Sequence, residues 1–175
     1  MTRTKPSSNS ISLAGEFATL SQLALRGYDA NLTLGNTKGV DILVSDPETD
    51  RMFKLEVKTS AYRSVSGEAG KHSRTFGHVF EWLMSKNHED IVDPNLFYCF
   101  VNITGEKGTS FRFFIVPSGV VAEYVKSQHQ YWLDQDAKHK DTAMRQFRLG
   151  IDEGGYPIST PLAKQYEDKW SLLRP

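Results

Sequence analysis

Two runs of strand-forming residues, Val40-Asp41-Ile42-Leu43-Val44 and Leu55-Glu56-Val57-Lys58-Thr59, flank the turn-forming string Asp46-Pro47-Glu48-Thr49-Asp50. That pattern predicts an antiparallel hairpin with strands over residues 39–45 and 52–60. If the turn centres between Glu48 and Thr49, partner numbers sum to 97 and Asp41 stands opposite Glu56. Side chains alternate along a strand, so Lys58 shares the face of Glu56. Opposed residues have Cβ atoms about 4.5–5.5 Å apart, and two carboxylates there repel unless a cation sits nearby. A divalent ion with a taste for oxygen ligands, magnesium or manganese, is one such cation. Lys58 is another, which would make the group an ion-pair cluster on a solvated face. A register slip of one residue would undo the opposition altogether.

A third carboxylate lies upstream. Residues 11–26 have the period of a helix, capped by Ser10 or Ser12 and stopped by Gly27. With Leu13 set to zero and 100° per residue, Leu23, Leu20, Ala24 and Phe17 fall between about 280° and 40°, and Glu16 at about 300° falls inside that arc. A carboxylate directed at a core costs several kcal/mol unless it is paired, protonated or bound to a cation. A salt bridge, or an edge position from which Glu16 reaches water, satisfies the same requirement.

The rest of the chain reads as one α/β domain. Residues 1–10 are a polar tail and 11–175 a single domain. Strands are expected at 28–34, 96–104 and 111–116, a loop at 61–77, a helix at 78–88 and another at 118–133. A strand near 147–151 and a short helix at 161–170 complete the order. The predicted architecture is a mixed sheet flanked by helices, in the order α-β-β-β-α-β-β-α.

Composition narrows the function classes. The 175 residues carry 21 basic and 21 acidic side chains, a balance unlike that of proteins that coat nucleic acid without selectivity. An acidic metal centre offset by basic residues elsewhere is compatible with it. No apolar run reaches the roughly 18 residues needed to span a bilayer. The single cysteine, Cys99, can form neither an internal disulfide nor a cysteine-built metal site, and a cytoplasmic location is expected.

Phosphodiester hydrolysis needs an activated water, a Lewis acid on the phosphoryl oxygen and help for the departing alkoxide. Asp41 and Glu56 would hold the metal, with the main-chain carbonyl of Val57 as a further ligand. Lys58 would orient or help deprotonate the water and stabilise the phosphorane. The string Gly39-Val40-Asp41, fourteen intervening residues, then Glu56-Val57-Lys58, preceded by a helix with Gly15-Glu16-Phe17, resembles the PD-(D/E)XK restriction-endonuclease-like superfamily. It is nearest to the Holliday-junction-resolvase-like branch and to small members with endings such as Val57-Lys58-Thr59-Ser60. Residues 12–60 carry the likeness, and the remainder matches only by order of elements. Gly39-Val40 replaces the proline expected near the first acid. The Glu-x-Lys tripeptide alone says almost nothing; an acid on a helix, an acid on a strand and Glu-x-Lys on its hairpin partner say more.

The resemblance implies a Mg²⁺-dependent (Mn²⁺-tolerant) endonuclease acting on DNA. Glu16, Asp41, Glu56 and Lys58 would be its catalytic residues, and Asp41, Glu56, Val57 and Glu16 its metal ligands. Nucleases that cut both strands are often two-fold dimers, so a homodimer is one expected state. The alternatives are a retired nuclease fold that binds nucleic acid or a protein partner, and an interaction protein whose acidic cleft is incidental. In the loop after the second hairpin strand, Arg63, Lys71 and Arg74 would grip a phosphate backbone or simply be solvated.

Overall fold

The computed structural model of the protein describes residues 6–33, 39–61, 71–73, 75–105, 110–152 and 155–174. Helix α1 spans Ser8–Leu25, because the Ser7 hydroxyl accepts the Ser10 amide at 3.1 Å and caps the first turn. The cap therefore precedes the expected serines, and residues 8–10 belong to the helix rather than to a tail. Gly27, at φ +81°, ends it as anticipated.

The buried face of α1 differs from the arc drawn through its largest apolar residues. Gly15, Thr19 and Leu23 are buried, with Ile11, Ala14, Ala18 and Leu20 packed against the same core. Leu13 and Phe17 remain 49% and 53% exposed. Small residues decide the outcome: a Cβ on Gly15 would lie 1.9 Å from Thr59 Oγ1, so the helix axis comes close to the sheet only because that side chain is absent. Gly15→Val is expected to lower stability by about 1–3 kcal/mol through overpacking. Thermal melting beside the surface control Phe17→Ser checks this, and equal melting of the two variants would contradict it.

Strands β1 (Asp29–Leu32), β2 (Ile42–Asp46), β3 (Arg51–Ala61), β6 (Leu96–Thr104) and β7 (Ser110–Pro117) form one sheet in the order β1-β2-β3-β6-β7. The β3–β6 pair is parallel and the others antiparallel, which makes the sheet mixed. The hairpin register is the one expected: Ile42 pairs with Leu55, Val44 with Phe53 and Asp46 with Arg51. Asp46 fixes its turn, accepting the Glu48 amide at 3.1 Å and the Thr49 hydroxyl at 2.9 Å. Strand β6, between β3 and β7, is buried on both faces over Leu96–Ile103, as a near-continuous apolar run between two strands should be.

The helix expected at 78–88 is a strand. Phe80, Trp82 and Met84 are buried while Leu83 and Ser85 are exposed, a period of two that overrides the Val79, Trp82, Leu83 spacing of a helix. This strand, β5 (Gly77–Ser85), lies between β4 (Lys71–Ser73) and β8 (Met144–Gly150) in a second, three-stranded sheet. Parallel strands need a long crossover, usually a helix; here β4 and β5 serve. Of the loop expected over 61–77, Ala61 ends β3, Lys71–Ser73 form β4 and Gly77 opens β5, while residues 62–70 and 74 lie outside the described residues.

Phe80, Trp82, Phe147 and Leu149 of the second sheet pack on Tyr98, Phe100, Phe114 and Val116 of the first, joined by Val121, Tyr124 and Val125 of α2 (Ser118–Gln135). Trp82 Nε1 donates to the Val101 carbonyl at 3.0 Å. Across β5 and β8, Arg148 Nε donates to Glu81 Oε2 at 2.8 Å. The opposite face of the first sheet carries α1 and the Leu23, Ile42, Leu55, Cys99 core. The final helix expected at 161–170 is replaced by two 3-10 turns, Ala163–Gln165 and Trp170–Leu173. Backbone pairing with the β7 edge wins there: Ile115 donates to the Tyr166 carbonyl and Asp168 to that of Phe113.

Candidate active site

The site forms where the hairpin partners part. Strand β2 covers one edge of β3 only as far as Leu55; from Glu56 to Ala61 that edge is no longer paired by β2, while β6 continues on the other side. Asp41 sits just before β2. Its amide still donates to the Leu55 carbonyl at 2.8 Å, and its carboxylate oxygen Oδ2 accepts the Val57 amide at 2.7 Å. A side chain thus occupies a backbone ladder position, which pins Asp41 against β3.

Glu56 is 4% exposed. Its Oε1 lies 2.5 Å from Lys58 Nζ and 3.6 Å from His88 Nε2. Its Oε2 is buried with no hydrogen-bond partner among the described residues. That orphaned oxygen faces the turn leading to Asp41: a Cβ placed on Gly39, whose φ is +72°, would stand 3.4 Å from it. A buried carboxylate oxygen without a donor is costly, and a turn glycine that leaves room beside it marks a place for something to bind.

Charge ties the remaining groups together. Burial raises the Asp41 carboxyl above its ordinary value and Glu56 adds to this, while the Val57 amide and the Lys58 ammonium oppose it. Glu16, half-buried on α1, is raised by burial and then by Asp41, with Lys58 opposing. It lies at the edge of the buried face, where α1 passes over β3 at Gly15 and Thr59, rather than inside the core. Glu16 thus feels Asp41 and Lys58, and Asp41 in turn feels Lys58 and Glu56. A cleft of about 440 Å³ opens beside Lys58 between α1, β3 and β5, with Ser12, Ser60 and Trp82 among its walls.

Two neighbours were not anticipated from sequence. His88, on the 3-10 turn Lys86–Glu89, has Nδ1 2.7 Å from the Tyr98 hydroxyl, and Tyr98 is the residue of β6 beside Glu56. Burial lowers the imidazole below its ordinary value and raises the Tyr98 phenol, with the nearby Glu56 carboxylate adding to the latter. Burial likewise pushes the Cys99 thiol up to about 12, so it is an inert core group. Arg63 and Arg74, and the side chain of Lys71, lie outside the described residues.

The donor set suits a hard cation in one respect and limits it in another. Among the described residues Glu56 keeps Oε2 unpartnered, Asp41 bonds Val57 through Oδ2, and the Val57 carbonyl lies on the same strand as Glu56. Among the described residues no three His, Cys, Asp or Glu side chains form a ready-made metal cage. Magnesium commonly binds through one or two carboxylates and keeps its other positions for water and substrate phosphate, so the pair fits that ion better than calcium or zinc.

No protein-family model and no curated protein matches the chain in sequence. Solved structures do match it. In fold the protein is similar to the bacterial homing endonuclease I-Ssp6803I, with a TM-score of 0.51 and 15% identity over 97% of this chain and 94% of that one, a likeness that identifies a nuclease-like α/β fold.

Proposed function

We propose that the protein is a metal-dependent endonuclease that hydrolyses DNA phosphodiester bonds through a PD-(D/E)XK-type site. One observation carries the reading. The buried, unpartnered Oε2 of Glu56 faces the Gly39–Asp41 turn while Lys58 holds the other oxygen of the same carboxylate. An ion-pair cluster satisfies its oxygens; among the described residues this one leaves Oε2 without a donor.

Asp41, Glu56 and the Val57 carbonyl would hold Mg²⁺ or Mn²⁺, with Glu16 contributing through water. Such an ion, when bound, supplies Lewis acidity at the phosphoryl oxygen and lowers the pKa of a bound water. Lys58 places an ammonium beside the cleft, where it orients the attacking water and favours the extra negative charge of the transition state. The Val57 amide holds Asp41 in a single orientation. The similarity to a homing endonuclease supports DNA as the substrate.

The test is cleavage of duplex, flap and four-way-junction DNA with Mn²⁺ and with EDTA. Cleavage only with the ion is expected. Binding without cleavage on every form would assign the retired-fold reading instead.

Gly39 gives an additional check. Gly39→Ala forces a side chain into a left-handed backbone conformation, costing about 1–2 kcal/mol, and sets a methyl in van der Waals contact with Glu56 Oε2, where an ion would approach. Mn²⁺ affinity is expected to fall together with stability. A variant that loses stability but binds Mn²⁺ as wild type does would contradict the placement of the ion beside Oε2.

A further inference from the structure

We infer that His88 and Tyr98 are positioning residues that hold Oε1 of Glu56 so that Oε2 stays committed to the Asp41 side of the site, an inference that rests on the nuclease reading above. A carboxylate can exchange its oxygens by rotating about its terminal torsion, which is broad and two-fold. Lys58 alone, on a flexible stem, can follow either oxygen. The imidazole cannot.

His88 stands on a turn fixed from behind. Glu89, the next residue, pairs with Arg145, which is itself buried and also bonds Asp141 Oδ1 at 2.9 Å and the Thr142 carbonyl at 2.6 Å. The ring then spans from Tyr98 on its Nδ1 side to Glu56 on its Nε2 side. A lone pair on Nε2 aimed at a carboxylate would be repulsive. The favoured arrangement has the Tyr98 hydroxyl donating to Nδ1 and the Nε2–H directed at Glu56 Oε1. At 3.6 Å this contact is longer than a hydrogen bond and acts through the oriented N–H dipole. Metal-binding carboxylates generally depend on such outer partners, and their loss costs about 10- to 100-fold in metal affinity.

The experiment titrates Mn²⁺ into the purified full chain, following heat of binding and melting temperature, for wild type, His88→Ala, His88→Gln and Tyr98→Phe. Glutamine carries a carbonyl for the Tyr98 hydroxyl and an N–H for Glu56 at nearly the imidazole spacing. His88→Ala is expected to weaken Mn²⁺ binding about 10-fold or more. His88→Gln should recover most of that loss. Tyr98→Phe keeps the stacked contact with Phe100 and removes only the hydroxyl, so it should fold normally and bind Mn²⁺ less tightly. If His88→Ala fails to fold, Tyr98→Phe and the glutamine variant still decide the matter. Wild-type affinity in Tyr98→Phe and His88→Ala would overturn the inference while leaving the nuclease reading intact, as would a glutamine variant no better than alanine. A wild-type protein that binds no Mn²⁺ overturns both.

Discussion

Replacing Lys58 with alanine is expected to abolish measurable cleavage, a loss of about 100- to 10,000-fold, and to destabilise the metal-free protein at the same time. The two effects share one cause. Lys58 Nζ lies 2.5 Å from Glu56 Oε1, and Glu56 is nearly inaccessible to water. Without the ammonium, the carboxylate keeps, among the described residues, the N–H dipole of His88 directed at it and a second oxygen with no hydrogen-bond partner. Leaving a buried charged group unsatisfied costs about 1–3 kcal/mol; Lys58 is partly solvated, so the lower half of that range applies. Mn²⁺ should restore the lost stability in the variant, raising its melting temperature by more than it raises that of wild type. An isolated structural ion pair behaves otherwise: Lys58→Ala would lower the melting temperature and Mn²⁺ would not recover it. Melting curves with and without Mn²⁺, beside a nicking assay on supercoiled DNA, separate the two.

The parts of the fold legible in the sequence are those set by neighbours along the chain. The 39–60 hairpin declared its register through Asp46-Pro47 and the alternation around Glu56, and β6 through an apolar run that a sheet interior demands. Strand β5 was illegible for a physical reason. Val79, Trp82 and Leu83 fit a helical stripe as well as Phe80, Trp82 and Met84 fit a strand, and only the partner strand β8, far along the chain, breaks the tie. Helix α1 misled in the opposite way. Its large residues, Leu13 and Phe17, suggested the inward face, whereas the close approach of Gly15 to Thr59 selected a face of small residues.

The site shows the same division. Asp41, Glu56 and Lys58 follow from pairing and alternation within one hairpin; Glu16 was singled out by a helical arc that is not the buried face of α1, and it lies at the edge of that face instead. His88 and Tyr98 were hidden because each depends on a long-range contact. Tyr98 meets Glu56 only through the parallel β3–β6 pairing, and His88 reaches it from the end of the strand that sequence alone assigned to a helix. Once β3 and β6 are known to be adjacent and in parallel register, the alternation that groups Glu56 with Lys58 also brings Tyr98 to the same face. The signal was present, but unreadable without topology.

Changing Asp41 to asparagine is expected to remove Mn²⁺ binding and cleavage together while making the metal-free protein more stable at neutral pH. Asparagine keeps an oxygen for the Val57 amide, so the backbone contact at 2.7 Å survives. What disappears is a carboxylate that repels both Glu56 and Glu16. Relief of like charges at this range is worth about 0.5–1 kcal/mol, or roughly 1–4 °C of melting temperature for a chain of this size. The pH dependence carries the sign. The Asp41 carboxyl is raised above its ordinary 3.8 in the fold, so the folded state holds that proton more tightly than the unfolded chain does. The resulting stability is fully present below the ordinary value and is lost as pH rises through the raised one. Metal-free wild type should therefore lose stability over that rise, and Asp41→Asn should lose less, the remainder coming from Glu16. Mn²⁺ reverses the slope in wild type, because its ligands must be deprotonated and its affinity grows with pH. In the variant the reversal should be absent, and cleavage should fall by at least about 100-fold, the upper end of the loss seen when a group that merely supports a ligand is removed. Melting temperatures from pH 4 to 8, with and without Mn²⁺, give four curves. A variant that melts below wild type at neutral pH, or that retains the Mn²⁺-driven rise, would show that Asp41 is a structural anchor for Val57 and not a ligand.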